Sequence, residues 1–345
     1  MDIKQLLALA VKQNASDLHL LPGKPPLLRI HGDLTPIADS AVLTADETEA
    51  LIFSAISEDQ RQRFEKDCVL DLAVSYPEVG YFRASLLHQM HGISGVFRVV
   101  PFSVPTFDDL GLPPVIKRLL SLTQGLIIVS GATGSGKSTT LAAMVDYINA
   151  SRNSHIITLE EPIEYVHQVK KSAINQIQIG RDTPDMATAL RASLRQDPDV
   201  IMMGEMRDLE TIRLALTAAE TGHLVLATLH SSSAPMSISR MIDMFPAPEK
   251  PRVRMMLAET LQAVLCQGLV KRKDGGRIAA FEVMLANPAI RHLIREDMVS
   301  HMESTIQTSG DIGMCTMNQY LRELVNKNEI TVAAARSASY NRELF

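Results

Sequence analysis

Leu126-Ile127-Ile128-Val129-Ser130 runs directly into Gly131-Ala132-Thr133-Gly134-Ser135-Gly136-Lys137-Ser138, and Thr139-Thr140-Leu141-Ala142-Ala143-Met144 follows. Leu126–Val129 is a short apolar run of the kind a buried strand needs. The next eight residues fit G-x-x-x-x-G-K-[ST] at every fixed position. Glycines in such a loop let backbone N–H groups wrap phosphate oxygens, and the helix that follows turns its positive end toward them. Lys137 then contacts the β- and γ-phosphates, and the Ser138 hydroxyl ligates Mg²⁺. By residue frequencies the string arises by chance in about one chain in a hundred of this length. The strand before it and the helix after it reduce that further. The stretch predicts ATP (or GTP) binding through Gly131, Ala132, Thr133, Gly134, Ser135, Gly136, Lys137, Ser138 and Thr139.

Three more apolar runs share the pattern: Ile156–Leu159, Val200–Met203 and Leu224–Ala227. Helices are expected at about 137–149, 185–195 and 208–221. Short buried runs alternating with helices mean a parallel sheet covered on both faces. Ligands bind such sheets beyond the carboxyl ends of the strands. From about residue 252 the chain reads as helices with no further strong strand signal, so the nucleotide-binding domain is expected to span residues 113–345.

Residues 1–100 read as a separate α+β domain. Ile3, Leu6, Leu7 and Ala10 lie at helical spacing and predict a folded helix rather than a leader. Leu18–Leu20 and Leu27–Ile30 read as strands around Pro22-Gly23-Lys24-Pro25-Pro26. Thr44–Glu65 reads as one helix, opened by Thr44 with Glu47 three residues on. Leu70–Ser75, Tyr81–His88 and Ser94–Val100 read as strands, and residues 101–112 as a proline-broken linker.

The chain has 345 residues, 46% of them apolar and 21% charged, which excludes disorder. With 34 basic and 39 acidic residues the net charge is −5, without the basic excess of a general nucleic-acid binder. Cys68, Cys266 and Cys315 are odd in number and never in CxxC spacing. A disulfide framework or tetracysteine zinc site is therefore not expected, and a reducing cytosol is. No apolar run approaches the ~18 residues of a membrane span.

The remaining strand ends carry acids and histidines. Ile156–Leu159 leads into Glu160-Glu161-Pro162-Ile163-Glu164, where a glutamate can align an attacking water. Val200–Met203 leads into Gly204-Glu205, where a carboxylate would face the metal directly or through water. His223 and His230 bracket the fourth run, and His230 sits at the end that could sense the γ-phosphate. Arg83 and Arg98 lie on strands of the first domain, and an arginine brought from a neighbouring subunit can stabilise transition-state charge.

Taken together, GATGSGKST (131–139), ITLEEPIEY (157–165), DPDVIMMGEMRD (197–208) and TGHLVLATLH (221–230) resemble the Walker A, Asp-box, atypical Walker B and His-box of the secretion ATPases. Ala289-Ile290-Arg291-His292-Leu293-Ile294-Arg295-Glu296 is similar to the AIRNLIRE motif of the pilus-retraction branch, the PilT family, departing only at His292. The tetracysteine insertion typical of extension motors is missing, and Ala15–Leu20 looks like the family's amino-terminal signature. The resemblance implies an α/β chain with a PAS-like amino-terminal domain, a RecA-like ATPase domain and a helical carboxyl-terminal region. It implies a homohexamer using ATP and Mg²⁺, cytoplasmic and peripheral on the inner membrane at the pilus base. Partners would be a membrane platform protein and a paralogous retraction ATPase, with no nucleic acid and no transmembrane segment. Carried over by position, Glu164 and Glu205 serve hydrolysis, Glu205 and Ser138 serve the metal, and Arg83 and Arg98 reach the nucleotide. A third family arginine is replaced by His91. Residues 289–296 would serve retraction. Periodicity puts Ile290, Leu293 and Ile294 on one helix face and Arg291 and Arg295 together on another.

The expected function is an ATP-driven retraction motor. The rivals are a nucleic-acid-dependent RecA-like translocase and a nonhydrolysing nucleotide-dependent scaffold. Lys170-Lys171 and Lys271-Arg272-Lys273 are the only tight basic clusters, and aromatics are sparse.

Overall fold

The computed structural model describes residues 2–30, 32–100 and 104–339. The chain divides into two compact units: Met1–Ser103 with Glu164–Val166, and Val104–Ile163 with His167–Phe345.

In the first unit, α1 (Ile3–Lys12) opens on a capping box between Asp2 and Gln5 and buries Ile3, Leu6, Leu7 and Ala10. Then come β1 (Asp17–Leu20), β2 (Leu27–Ile30), β3 (Asp33–Pro36), α2 (Ala45–Phe53), α3 (Glu58–Asp67), β4 (Val69–Tyr76), β5 (Gly80–Gln89) and β6 (Gly92–Val100). The six strands form one antiparallel sheet in the order β3-β2-β1-β6-β5-β4. Alternation on β5 buries Phe82, Ala84 and Leu86 and exposes Tyr81, Arg83, Ser85 and Leu87 on the other face. Leu7, Leu18, Phe64, Phe82 and Phe97 share its core. This unit is an α+β domain, helices packed on one antiparallel sheet.

One expectation for this unit changes, and one strand was not expected. Thr44–Glu65 is two helices, because Ser57 and Gln60 form a second capping box that restarts the helix. β3 carries no alternation for the sequence to show, since all four of its residues are exposed.

The second unit begins with α4 (Phe107–Leu110) and α5 (Val115–Leu119). Residues 101–103 of the expected linker lie outside the described residues, and Phe107 and Leu112 pack into this unit's core. The alternating segment is β7 (Gly125–Ser130), α6 (Lys137–Ser151), β8 (His155–Glu160), β9 (Ala173–Gln178), α7 (Met186–Ser193), β10 (Val200–Met203), α8 (Leu209–Glu220), β11 (Leu224–Leu229), α9 (Ala234–Asp243) and α10 (Lys250–Thr260). β12 (Leu261–Lys271) and β13 (Arg277–Leu285) follow, then α11 (Pro288–Arg295), α12 (Met302–Thr308), α13 (Met317–Asn326) and α14 (Val332–Ala338). The sheet order is β13-β12-β7-β11-β10-β8-β9, parallel throughout except between β12 and β13. Leu126, Ile127, Ile128 and Val129 are fully buried, each contributing about 1.5–3 kcal/mol of gross apolar stabilisation.

The helical carboxyl-terminal region therefore starts at Pro288, after a hairpin, and not near residue 252. β12 hides its period because it is covered on both faces: Ala263, Val264, Leu265 and Cys266 are all buried in sequence.

Candidate active site

The phosphate loop leaves the carboxyl end of β7 and closes into α6. Its shape depends on β12. A Cβ on Gly131 (φ 145°) would lie 2.3 Å from the Gln267 carbonyl oxygen. One on Gly136 (φ 90°) would lie 2.9 Å from Gln267 Nε2. Only glycine fits so close an approach in left-handed backbone. The buried Gln267 amide ties the loop at two points: Nε2 donates to the Ser135 carbonyl at 2.8 Å, and Oε1 accepts from Thr140 Oγ1 at 2.7 Å. Sequence reasoning passed over this residue because its segment read as helix. The one signal was a glutamine interrupting the apolar stretch 263–270. Gln267→Ala strands two buried polar groups and is expected to cost about 1–3 kcal/mol of stability. It should weaken ATP binding about tenfold, or about 1.4 kcal/mol. Denaturant unfolding and nucleotide titration read these two effects, and wild-type affinity would show that the loop keeps its shape without the amide.

Lys137, the first residue of α6, is buried, and its Nζ donates to the carbonyls of Gly131 at 3.0 Å and Ala132 at 2.9 Å. It lies 3.4 Å from His230 Nδ1. Parallel pairing of β11 with β7 (Leu229 opposite Ser130) is what brings His230 to the loop. His230 Nε2 lies 2.9 Å from Glu205 Oε1, so the imidazole is assigned as donating from Nε2 to the carboxylate and accepting at Nδ1. Arg207 Nε donates to Glu205 Oε2 at 2.6 Å, and its Nη1 to Glu161 Oε2 at 3.1 Å. The hydrogen bond to Glu205 raises the pKa of the Arg207 guanidinium above its ordinary value. Gly204 N–H donates to the Leu159 carbonyl at 2.7 Å, the Thr228 hydroxyl donates to the Gly204 carbonyl, and the Arg240 guanidinium donates to the His230 carbonyl. These bonds anchor the turn that carries Glu205 and the backbone that carries His230. A polar chain thus runs from Lys137 through His230, Glu205 and Arg207 to Glu161. Arg207 in this chain was not among the sequence candidates.

The other candidates fall elsewhere. His223 is at the amino end of β11, about 23 Å from His230 at ~3.3 Å per residue, with Nδ1 2.9 Å from the Ala218 carbonyl. Glu160 is buried and accepts from Thr158 Oγ1 at 2.7 Å and Gln176 Nε2 at 3.1 Å. Glu164 is exposed and groups with the first unit. Arg83 and Arg98 are opposite one another on β5 and β6. His91 is exposed at the turn joining those strands. Ser138 and Thr139 occupy the first turn of α6, both partly exposed.

On α11, Ile290 and Ile294 are buried as expected, but the two arginines part company. Arg291 turns onto the end of α10, donating to the Ala258 carbonyl and, at 2.8 Å, to the Glu259 carbonyl. Its Nη2 lies 3.4 Å from Gln262 Oε1. Arg295 is exposed.

A cavity of about 560 Å³ opens beside the loop, lined by Gly131–Ser135, His230–Ser232, Gln267–Leu269, Arg277 and Ala338. Its size suits a mononucleotide. Fold and loop together make the second unit a RecA-like P-loop ATPase domain that binds nucleotide. The model of the Type II/IV secretion system protein family matches residues 1–338, and the chain belongs to that family. The Type IV pilus retractation ATPase PilT of Pseudomonas aeruginosa is 51% identical over 336 residues, 97% of this chain and 97% of that one. A twitching motility protein of Neisseria gonorrhoeae is 45% identical, covering 92% of this chain and 85% of that one. The crystal structure of the pilus retraction motor PilT with bound ADP superimposes with a TM-score of 0.94 at 43% identity, covering 100% of this chain and 99% of that one. No helix among the described residues is long and apolar enough to cross a membrane.

Proposed function

We propose that this chain is an ATP-hydrolysing motor that retracts type IV pili, disassembling pilin to give twitching motility. It works as a cytoplasmic homohexamer on an inner-membrane platform protein at the pilus base, with a paralogous retraction ATPase as a further partner. The observation that carries the reading is the end-to-end correspondence with a retraction ATPase at 51% identity, with the phosphate loop and the His230–Glu205 pair intact. The rival translocase reading is weakened by the local pairing of the basic clusters: Lys170 with Asp146, Arg272 with Glu329, Lys273 with Asn328.

In this proposal Lys137 exchanges its two loop carbonyls for phosphate oxygens, and loop N–H groups hold the rest of the phosphate chain. Glu205 aligns the attacking water, held in place by His230 and Arg207. Glu164 is a second acid for the same step. His230 lies between Lys137 and Glu205, so a terminal phosphate that draws Lys137 forward also changes what Glu205 is bonded to. Arg83 and Arg98, carried from the first unit of the same or a neighbouring copy, meet the terminal phosphates. His223 serves outside this chain of contacts. The residues suit Mg²⁺ arriving with the nucleotide: Ser138 supplies a hydroxyl, while both Glu205 oxygens are already bonded, so Glu205 would reach the ion through water. When bound, the ion neutralises charge on the phosphates. Loss of the terminal phosphate releases the lysine and the arginines together, and six such steps in a ring become displacement.

Cells lacking only this protein are expected to extend pili and fail to withdraw them, as seen by fluorescence imaging of labelled pili. Normal withdrawal would exclude the chain as the principal motor. Within the 289–296 motif two effects are expected to separate. Arg295→Ala should abolish retraction while the ATPase rate stays within about twofold. Arg291→Ala should in addition lower thermal stability, since the charge-assisted bonds to the end of α10 are worth about 1.5–3 kcal/mol. Equal loss of ATPase and retraction in Arg295→Ala would overturn the division.

A further inference from the structure

One row of the first unit's sheet carries four charges. Strand register sets Arg29 on β2 opposite Asp17 on β1, Asp17 opposite Arg98 on β6, and Arg98 opposite Arg83 on β5. Directly paired residues share a sheet face, so three guanidiniums and one carboxylate stand in line over about 14 Å, three strand spacings. Like charges directly opposite each other destabilise a sheet. The Arg83–Arg98 pairing therefore needs a reason other than stability, and a phosphate anion is one.

Asp17 does not serve the row evenly. Its carboxylate is nearly buried, with a side chain 5% exposed, whereas that of Arg98 is 65% exposed. Oδ1 accepts from Arg98 Nε at 2.9 Å, and Oδ2 accepts from Ser16 Oγ at 2.7 Å. Arg29 Nε stays 3.9 Å from Oδ2, and its Nη1 donates to the Gly32 carbonyl at 2.7 Å. Burial alone would push the Asp17 carboxyl up, but the hydrogen bonds from Ser16 and Arg98 bring it below its ordinary value, so it is anionic at neutral pH. His19, two residues along the same strand, is pushed down by burial and by Arg29, and stays neutral rather than competing for the carboxylate. Arg98 is thus gripped through its Nε, and its two terminal NH₂ groups are left for a second, bidentate partner.

We propose that Asp17 is a positioning residue that sets the Arg98 guanidinium for the terminal phosphates of bound ATP. This rests on the reading that Arg98 meets the nucleotide. Asp17 touches no substrate: it removes rotamer freedom that Arg98 would otherwise lose only in the transition state.

The test is a double-mutant cycle on the full-length assembled chain, reading kcat and KM for ATP, with thermal melts to confirm folding. Arg98→Ala should lower kcat at least a hundredfold. Asp17→Asn, nearly isosteric, should lower kcat about tenfold with KM within twofold, and should add less than twofold in the Arg98→Ala background. A tenfold loss that persists in that background, or a wild-type kcat in Asp17→Asn, overturns the proposal. A slow Arg98→Ala beside a wild-type Asp17→Asn sinks the positioning role alone, whereas a wild-type Arg98→Ala removes the underlying reading as well. If Asp17→Asn melts early, Ser16→Ala serves instead: it frees Oδ2 and should cost about threefold in kcat, again only while Arg98 is present, and an equal loss without Arg98 overturns the proposal.

Discussion

Lys137→Ala will leave less than about a thousandth of the ATPase rate, and pilus retraction will stop with it. The ammonium is a buried cation at the mouth of the phosphate loop, where its donors meet the Gly131 and Ala132 carbonyls. Charge developing on the transferred phosphoryl group needs a preorganised cation in a low-dielectric site, and a thousandfold loss corresponds to about 4 kcal/mol of transition-state stabilisation. The helix itself should survive, because α6 keeps its buried Leu141, Met144, Val145 and Ile148 and alanine is the best helix former. Steady-state hydrolysis and imaging of pili give the two readouts. Turnover above a tenth of the wild-type rate would mean that the loop does not house the chemistry.

Glu205→Gln should lower the chemical step about 10²–10³-fold, within the range set by loss of a general base or water-aligning group, while nucleotide affinity stays within about threefold. The substitution keeps the shape but removes the charge held between His230 and Arg207. Glutamine can still accept from one neighbour, yet its NH₂ then meets the other neighbour's N–H, so one of the two bonds at 2.9 and 2.6 Å must be lost. Single-turnover hydrolysis separates the chemical step from product release, and titration with a nonhydrolysable analogue reads affinity. A fall in affinity as large as the fall in rate would assign Glu205 to binding instead.

The phosphate loop and four strands of the parallel sheet were legible in the chain because each is a contiguous string, and a contiguous string carries its own period. Glu205 and His230 were each legible as the residue after a buried run. Their contact was not, because it arises from the lateral order of strands, which no local pattern encodes. Arg207 reaches Glu161 across 46 positions, and Asp17 reaches Arg98 across 81. Such pairs become visible only when register is known. Gln267 was hidden twice over: its strand is buried on both faces, and alanine, leucine and glutamine there read equally well as helix. Arg291 and Arg295 show the converse error, since helical spacing put them together while packing against α10 turned one inward.

β12 meets both ends of β7. At the far end a Cβ on Gly125 would lie 2.5 Å from Gln262 Cγ, as Gln267 excludes one from Gly131 at the near end. Gln262 Oε1 also lies 3.4 Å from Arg291 Nη2. A tug on α11 is therefore delivered at the foot of a strand whose head, about 17 Å away at ~3.3 Å per residue, braces the phosphate loop. Such a load runs along β12, where its bonds to β7 and β13 resist in shear as a set rather than unzipping one by one.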